Sequence, residues 1–187
     1  MANEEYIDIL NPDGTPTGKS CLKSEIHRQG HYHDTAHVWY YNPNAEILLA
    51  QRAATKTICP SIWDVSVAGH VDAGESIIEA VLRETREEIG IHITESDLEK
   101  IGVFNCFQSY PNGIIDNEFH HTFIARIDYN PADFLLDKQE VQQVKFVSIP
   151  AFRELLEKSK TNSHFIASNT PYYLEVINAI EQKFKQI

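Results

Sequence analysis

Residues 69–91 read GHVDAGESIIEAVLRETREEIGI, and they form the most informative segment of the sequence. Its second part predicts a helix over 76–89, because Ser76 followed by Glu79 forms a capping box and Gly90 stands where a glycine commonly ends a helix. At roughly 100° per residue, one arc of this helix is mostly apolar and should face the core. That arc consists of Ile78, Val81, Leu82, Thr85 and Ile89.

Three glutamates lie beside the apolar arc of this helix. Glu84, Glu87 and Glu88 are spaced i, i+3 and i+4, which makes them neighbours on the helix surface, and Ala80 lies in the same arc, where its small side chain leaves room. Like charges this close repel one another unless a cation sits between them, and carboxylate ligands favour Mg²⁺ or Mn²⁺ over zinc. Taken alone, the trio reads more simply as a solvated acidic face paired with neighbouring arginines.

The loop before the helix removes this ambiguity. The whole stretch resembles the Nudix box, G-x5-E-x7-R-E-U-x-E-E-x-G-U, in which U is a bulky aliphatic residue. Thr85 departs from the pattern, at a packing position that can accept a β-branched residue. The chain is therefore identified, by resemblance, as a member of the Nudix hydrolase superfamily. The matching residues are Gly69, Glu75, Arg83, Glu84, Glu87, Glu88, Gly90 and Ile91.

The resemblance implies an α/β fold, namely a Nudix-type α/β/α sandwich with a mixed sheet and a loop–helix–loop catalytic motif. We expect one domain over 1–187, with a core at about 33–150, an N-terminal hairpin in 1–30 and C-terminal helices in 150–187. Helices before and after mixed strands agree with such layering. Strands are predicted at Tyr6–Leu10, Lys19–Leu22, Thr35–Tyr41, Glu46–Arg52, Trp63–Ala68, Ile101–Ser109, Glu118–Ile127 and Val141–Ser148, and further helices at Pro150–Lys160 and Pro171–Lys185.

The resemblance also implies metal ligands. Glu84, Glu87 and Glu88 should bind the divalent cofactor, Mg²⁺ or Mn²⁺, together with the backbone carbonyl of Gly69. Glu88 borders the apolar arc and should be the best-held ligand. Because metal ions neutralise phosphoryl oxygens and lower the pKa of an attacking water, the implied reaction is hydrolysis of a diphosphate linkage.

Other residues receive supporting roles. Glu75 should brace the loop against the helix, and Arg83 should orient Glu87 rather than touch the substrate. The general base differs between Nudix subfamilies, and Glu118 and Glu140 are both candidates for it.

Two residues before the box are candidates for substrate contact. Arg52 ends a strand where Nudix proteins often carry a phosphate-contacting arginine, although a surface arginine is the plain alternative. Trp63 is expected either to stack on a substrate base or to pack under the catalytic loop, and packing is the commoner role for a tryptophan in such a place.

A second resemblance covers roughly residues 25–150. The segment 62–70, IWDVSVAGH, and the downstream Asp116-Asn117-Glu118 look like the isopentenyl-diphosphate isomerase branch of the superfamily. That likeness implies a possible second metal site, made by His37, His70, Asp116 and Glu118. The other histidines in these regions could suggest a transition-metal cluster but are expected at the surface; they are His27, His31, His33, His120 and His121.

Two departures argue against isomerase chemistry. The isomerases carry a catalytic cysteine directly before the Gly-His pair, whereas this chain has Ala68, whose methyl group has no proton to give. The isomerases also have a degraded Nudix box, and this one is intact. The sequence therefore favours a hydrolase built on an isomerase-like framework.

Composition limits the remaining alternatives. A formal net charge of −11 argues against broad binding to nucleic acid or anionic membranes. The first residues show no basic and apolar leader, and no run approaches the ~20 apolar residues of a membrane span, so we expect a cytoplasmic protein with three free cysteines.

The expected partner is a small-molecule diphosphate, most simply a nucleoside diphosphate derivative, and the sequence leaves a homodimer possible. Two other functions stay open at this point: an isopentenyl-diphosphate-isomerase-like enzyme, and a non-catalytic nucleotide-sensing Nudix domain.

Overall fold

The computed structural model describes residues 5–162 and 164–185. Residues 1–4 lie outside the described residues, and the expectation that the chain has no leader sequence falls on them. The strands are β1 (Tyr6–Leu10), β2 (Pro16–Leu22), β3 (Tyr32–Tyr41), β4 (Glu46–Arg52), β5 (Trp63–Asp64), β6 (Val67–His70), β7 (Glu99–Ser109), β8 (Ile115–Arg126) and β9 (Val141–Ser148). The α-helices are α1 (Lys23–Gln29), α2 (Ile77–Ile89), α3 (Ile149–Glu157) and α4 (Thr170–Lys185).

Strand β3 is the centre of the sheet. It pairs antiparallel with β6 and, along its whole length, parallel with β8, while β7 lies antiparallel on β8. Strand β4 pairs antiparallel with β5 and β9. The sheet is therefore mixed, as predicted.

Helices cover both faces of this sheet. Val38 and Tyr40 of β3 pack in one buried cluster with Val81 of α2. Trp39 and Tyr41, the alternate residues of the same strand, pack in a second cluster with residues of α3 and α4. The predicted α/β fold is confirmed. Among the described residues, no helix is long and apolar enough to cross a lipid bilayer.

Strands β3 and β4 pair antiparallel at Tyr41 and Ile47 and then diverge. Ser66 lies between them, and it separates β5 from β6 within the segment predicted as one strand. Its hydroxyl donates to the carbonyl oxygen of Leu48 at 2.6 Å and accepts from the backbone N–H of Tyr40 at 2.9 Å, so it bridges the two diverging strands.

Helix α2 follows its predicted limits closely. Ser76 and Glu79 form the capping box, and Gly90 ends the helix in the left-handed region at φ 72°. Thr85 is fully buried, and its hydroxyl is hydrogen-bonded to that of Tyr40 at 2.8 Å, which explains how a polar residue occupies an aliphatic position of the box. Ala80, expected beside the carboxylates, is instead fully buried in the cluster that α2 makes with β3.

Helix α1 was not predicted from the sequence. It has seven residues, of which Ile26 is buried, so no apolar periodicity could reveal it. It ends at Gly30, whose φ of 64° is accessible to glycine with little strain. This helix matters because it carries His27 to the site.

Candidate active site

A cavity of about 380 Å³ opens between α2, the sheet and α4. Its walls combine carboxylates, basic side chains and histidines, and a volume of this size suits a small-molecule ligand. The predicted site residues that line it are His37, Arg52, Gly69, His70, Arg83, Glu84, Glu87, Glu88, Asp116, Glu118 and Glu140.

Trp63 does not belong to this lining, so of its two expected roles the structure supports packing and not stacking on a substrate base. Its side chain is 8% exposed and packs in the buried cluster under α3 and α4. The ammonium of Lys145 lies 3.9 Å from the indole centroid, a cation–π contact that covers the ring. The indole ring of Trp63 therefore packs in the core and is not available to stack on a substrate base.

Strand β6 touches the carboxylates of α2 directly. The backbone N–H of Ala68 donates to Oε2 of Glu88 at 3.3 Å. A Cβ atom placed on Gly69 would lie 2.0 Å from Cδ of Glu84, so only glycine lets the strand and the helix approach so closely. Gly69, the first residue of the box, therefore leaves the space that the side chain of Glu84 occupies.

Arg83 ties the loop of the box to its helix. Its Nε and Nη2 donate to the two oxygens of Glu75 at 2.9 and 2.8 Å, and its Nη1 donates to Glu84 at 2.7 Å and to Glu87 at 3.3 Å. Nη2 also donates to the carbonyl oxygen of His70 at 2.9 Å. A guanidinium has five N–H donors, and these contacts occupy all of them, which leaves Arg83 no donor for a substrate.

The carboxylates of α2 sit in an environment that disfavours their charge. Burial raises the pKa of Glu88 well above its ordinary value, and the charge of Glu84 adds to this effect. Burial also raises the pKa of Glu84, against the opposing contact with Arg83. A divalent cation between these groups would offset both effects, so the donor set, all oxygen, fits Mg²⁺ or Mn²⁺.

Basic side chains face the same cavity. Lys23 forms an ion pair with Glu5 at 2.7 Å, Lys56 pairs with Glu140, and Arg52 donates through Nε to a backbone carbonyl at 3.1 Å. All three basic residues line the cavity wall. Within an acidic protein, these residues bring basic groups to the same wall as the carboxylates of α2.

Three histidines converge where surface residues were expected. His27 of α1, His33 of β3 and His70 of β6 have ring centroids 5.0–5.2 Å apart, and His33 is fully buried. The Nε2 atoms of His27 and His70 lie 2.9 Å apart. With Glu118, these side chains can place ligand atoms within 4.8 Å of one another. We call this group the three-histidine cluster.

Unpaired polar atoms in this cluster point to a bound cation. The ring N–H of His33 at Nδ1 can donate to the carbonyl oxygen of His31 at 2.9 Å, which leaves the lone pair on Nε2; that buried atom has no hydrogen-bond partner. Nδ1 of His27 and Oδ1 of Asp116 are also buried; they face each other at 2.9 Å as an ion pair but without the alignment of a hydrogen bond. Burial also holds the pKa of His70 well below its usual value, which favours the neutral, metal-binding form.

The four residues predicted to form the second metal site fall into two groups in the structure. Glu118 and His70 belong to the three-histidine cluster and Asp116 lies beside it, whereas His37 groups with His120 and Glu118. His120, expected at the surface, is 5% exposed. Strands β3 and β8 run parallel with His33 opposite Glu118, so alternate residues of both strands face the cavity together.

The sequence of the chain was compared with models of known protein families. The model of the NUDIX domain matches residues 31–168, which is most of the chain. The chain belongs to the Nudix family.

Relatives of the Nudix chain come from both branches suggested by its sequence. It is 37% identical over 160 residues to Nudix hydrolase 3 of Arabidopsis thaliana, an alignment that covers 83% of this chain but 21% of the plant protein. It is 30% identical over 156 residues to isopentenyl-diphosphate Delta-isomerase 2 of Photorhabdus laumondii, covering 83% and 84% of the two chains.

A solved structure supports the Nudix fold itself. The Deinococcus radiodurans protein DR0079 superposes with a TM-score of 0.68, covering 95% of this chain and 98% of that one, at 17% sequence identity. The assignment to the Nudix hydrolases and the likeness to the isomerase branch are thus confirmed. The replacement of the isomerase cysteine by Ala68 stays a prediction.

Proposed function

We propose that this Nudix protein hydrolyses a diphosphate linkage in a nucleoside diphosphate derivative or a related small molecule, using Mg²⁺ or Mn²⁺. The observation that carries the proposal is the shared cavity: the carboxylates of α2 and the basic residues Lys23, Arg52 and Lys56 line the same space. The carboxylates suit a divalent cation, and the basic groups suit the phosphoryl oxygens that the cation leaves uncovered.

Each residue of the site has a task in this reaction. Glu84, Glu87, Glu88 and the carbonyl of Gly69 would hold the ion, which supplies charge neutralisation and a water of lowered pKa when bound. Arg83 fixes the carboxylates in place.

The proton of the attacking water must pass to a base. Glu118 and Glu140 both line the cavity and are the candidates outside the box. Glu118 has an oxygen 2.8 Å from Nε2 of His120, and Glu140 is paired with Lys56. Comparing the pH–rate profiles of Glu118→Gln and Glu140→Gln would identify the base, because its loss removes the acidic limb of the profile.

We further assign the isomerase-like metal site to His27, His33, His70 and Glu118, with Asp116 beside His27. Imidazole ligands suit Zn²⁺ or Mn²⁺ better than Mg²⁺. The proposed setting is the cytoplasm, in keeping with three free cysteines, and the proposed partner is a small molecule.

A substrate panel tests the proposed function. The full chain with millimolar Mg²⁺ would be assayed against nucleoside di- and triphosphates, nucleotide sugars, dinucleotides and prenyl diphosphates in ¹⁸O-labelled water. Hydrolysis is expected to put one labelled oxygen into one phosphate product. Isomerised prenyl diphosphate without phosphate release would support the isomerase alternative, and binding without turnover of any compound would support the sensing domain.

Divalent ions should also stabilise the protein. Because the buried carboxylates of α2 repel one another without a cation, Mg²⁺ at tenfold its dissociation constant should add about 1.4 kcal/mol, or about 3–6 °C in melting temperature for a domain of this size. Thermal melts with and without Mg²⁺ measure this shift. The double variant Glu84→Gln/Glu88→Gln serves as the control and should lose it. A parent protein whose melting is unchanged by millimolar Mg²⁺ or Mn²⁺ would contradict the carboxylate site.

A further inference from the structure

A histidine pair lies next to the three-histidine cluster, deeper under α4. His37 and His120 are 8% and 5% exposed, and their rings stack with centroids 4.0 Å apart at an interplanar angle of 24°. Both side chains line the cavity. Neither residue belongs to the Nudix box.

One carboxylate connects this pair to the three-histidine cluster. Oε2 of Glu118 lies 2.8 Å from Nε2 of His120, and Oε1 of the same group lies 3.6 Å from Nε2 of His33. Glu118 therefore presents one oxygen to each histidine group. A carboxylate used in this way is suited to bridge two ions.

The geometry points to a second ion site: we propose that His37, His120 and Oε2 of Glu118 bind a divalent ion of the Zn²⁺ or Mn²⁺ type, bridged through Glu118 to the three-histidine site. The three side chains can place ligand atoms within 4.8 Å of one another. Two ligands of one ion at ~2.1 Å each lie about 3.0–3.4 Å apart, so side-chain movements of about 1 Å complete the site. Glu118 and His120 stand slightly closer than this, at 2.8 Å, in a hydrogen bond that the ion would replace.

The surroundings of His37 orient it as a ligand. Its Nδ1 is 2.9 Å from the hydroxyl of Tyr172, which also accepts from Nε1 of Trp39 at 2.8 Å. When Nδ1–H donates to that hydroxyl, the lone pair of His37 lies on Nε2. Metal-binding histidines commonly have their other ring nitrogen held in this way.

A buried hydroxyl gives independent support. Thr35 stands between His33 and His37 on β3, opposite His120 on β8 and His70 on β6. It is 3% exposed, lines the cavity, and its Oγ1 has no hydrogen-bond partner. A buried polar atom without a partner is costly, and a ligand of the bound ions would satisfy it.

The inference does not depend on which diphosphate is the substrate. Paired ions about 3.5–4 Å apart are a recurring arrangement in enzymes that act on phosphoryl groups. Two ions here would add positive charge to the cavity that the carboxylates of α2 also line. Metal binding can be measured without turnover, so failure of this inference is distinguishable from failure of the proposed hydrolysis.

Metal stoichiometry of the full chain tests the site. Protein loaded with Zn²⁺ in the presence of millimolar Mg²⁺, which competes for the carboxylates of α2, would be desalted and analysed for bound zinc. We expect two zinc ions per parent chain, one after His37→Gln or His120→Gln, and one after His33→Gln. His121→Gln is the matched control: this histidine neighbours His120 but pairs with Asp34, and the variant should keep both ions.

Loading with Mn²⁺ gives a second measurement. Carboxylate-bridged Mn²⁺ ions should produce an exchange-coupled electron paramagnetic resonance spectrum, which Glu118→Gln should abolish. A folded parent that retains a single zinc ion overturns the proposal. So do two ions that survive either His37→Gln or His120→Gln, provided that the melting temperature shows the variant to be folded.

Discussion

Glu88→Gln should lower kcat/KM by on the order of 100-fold or more while the protein stays folded. Glutamine is isosteric with glutamate but neutral, so the change removes a metal-binding charge without opening a cavity. Glu88 is 7% exposed, and one of its oxygens accepts from the backbone N–H of Ala68, so its carboxylate has a defined position beside β6. Steady-state kinetics on the substrate found in the panel measure the loss.

A comparison within the helix sharpens this prediction. The side chain of Glu87 is 51% exposed, so Glu87→Gln should cost less activity than Glu88→Gln. A Glu88→Gln protein within threefold of the parent would mean that Glu88 is not a principal ligand.

Although Glu88→Gln should lower activity, it should raise the stability of the metal-free protein. Burial and the charge of Glu84 raise the pKa of Glu88 in the folded protein above the value it has in the unfolded chain. The stability that this group contributes is therefore present at acidic pH and is lost as the pH rises through the folded pKa. In a chelator at pH 7–8, Glu88→Gln should melt above the parent, and the difference should close as the pH falls toward the ordinary carboxyl range. A difference that does not change with pH would contradict this explanation.

The catalytic helix was predictable because its information is local. Its caps, its apolar arc and the spacing of its glutamates all lie within one stretch, and the structure reproduces that helix from Ile77 to Ile89. The contact between Gly69 and Glu84 follows from the box only through the family likeness. Nothing in the spacing alone shows that a strand passes within contact of that helix.

His27, His33 and His120 were not predicted as ligands, and the division of the histidines into two groups was missed, because this assembly is not local. His33 and Glu118 are far apart in the chain and meet only because β3 and β8 are parallel neighbours in this register. A usable signal was present: His33, Thr35 and His37 alternate, as do Asp116, Glu118 and His120, and alternate residues of a strand share one face. Reading that alternation would have placed these residues together on each strand.

His27 carried no comparable signal, because it lies on a helix too short to show periodicity.

For Trp63 the sequence left two roles open, stacking on a substrate base and packing, with packing the commoner one. The structure supports packing, since the indole lies in the buried cluster beneath Lys145.

Gly69→Ala should abolish most of the activity through steric overlap with Glu84. The added methyl would lie 2.0 Å from Cδ and 2.1 Å from Oε1 of Glu84. This carboxylate is not a free end that can swing away, because it is largely buried and Arg83 donates to it at 2.7 Å. Displacing it disrupts both a metal ligand and the network that holds Glu87, so we expect a loss on the order of 100-fold in kcat/KM and about 1–3 kcal/mol of stability.

Two further variants separate the steric effect from the catalytic one. Gly102→Ala, also in a strand, would place its methyl 3.2 Å from the ring of Phe104 and should leave activity near that of the parent. Gly69→Ala/Glu84→Ala removes the group that the methyl would overlap. It should therefore recover the melting temperature lost by Gly69→Ala without recovering activity, because the metal ligand is gone. If Gly69→Ala alone keeps parental activity, the close approach of β6 to α2 is not what positions Glu84 for catalysis.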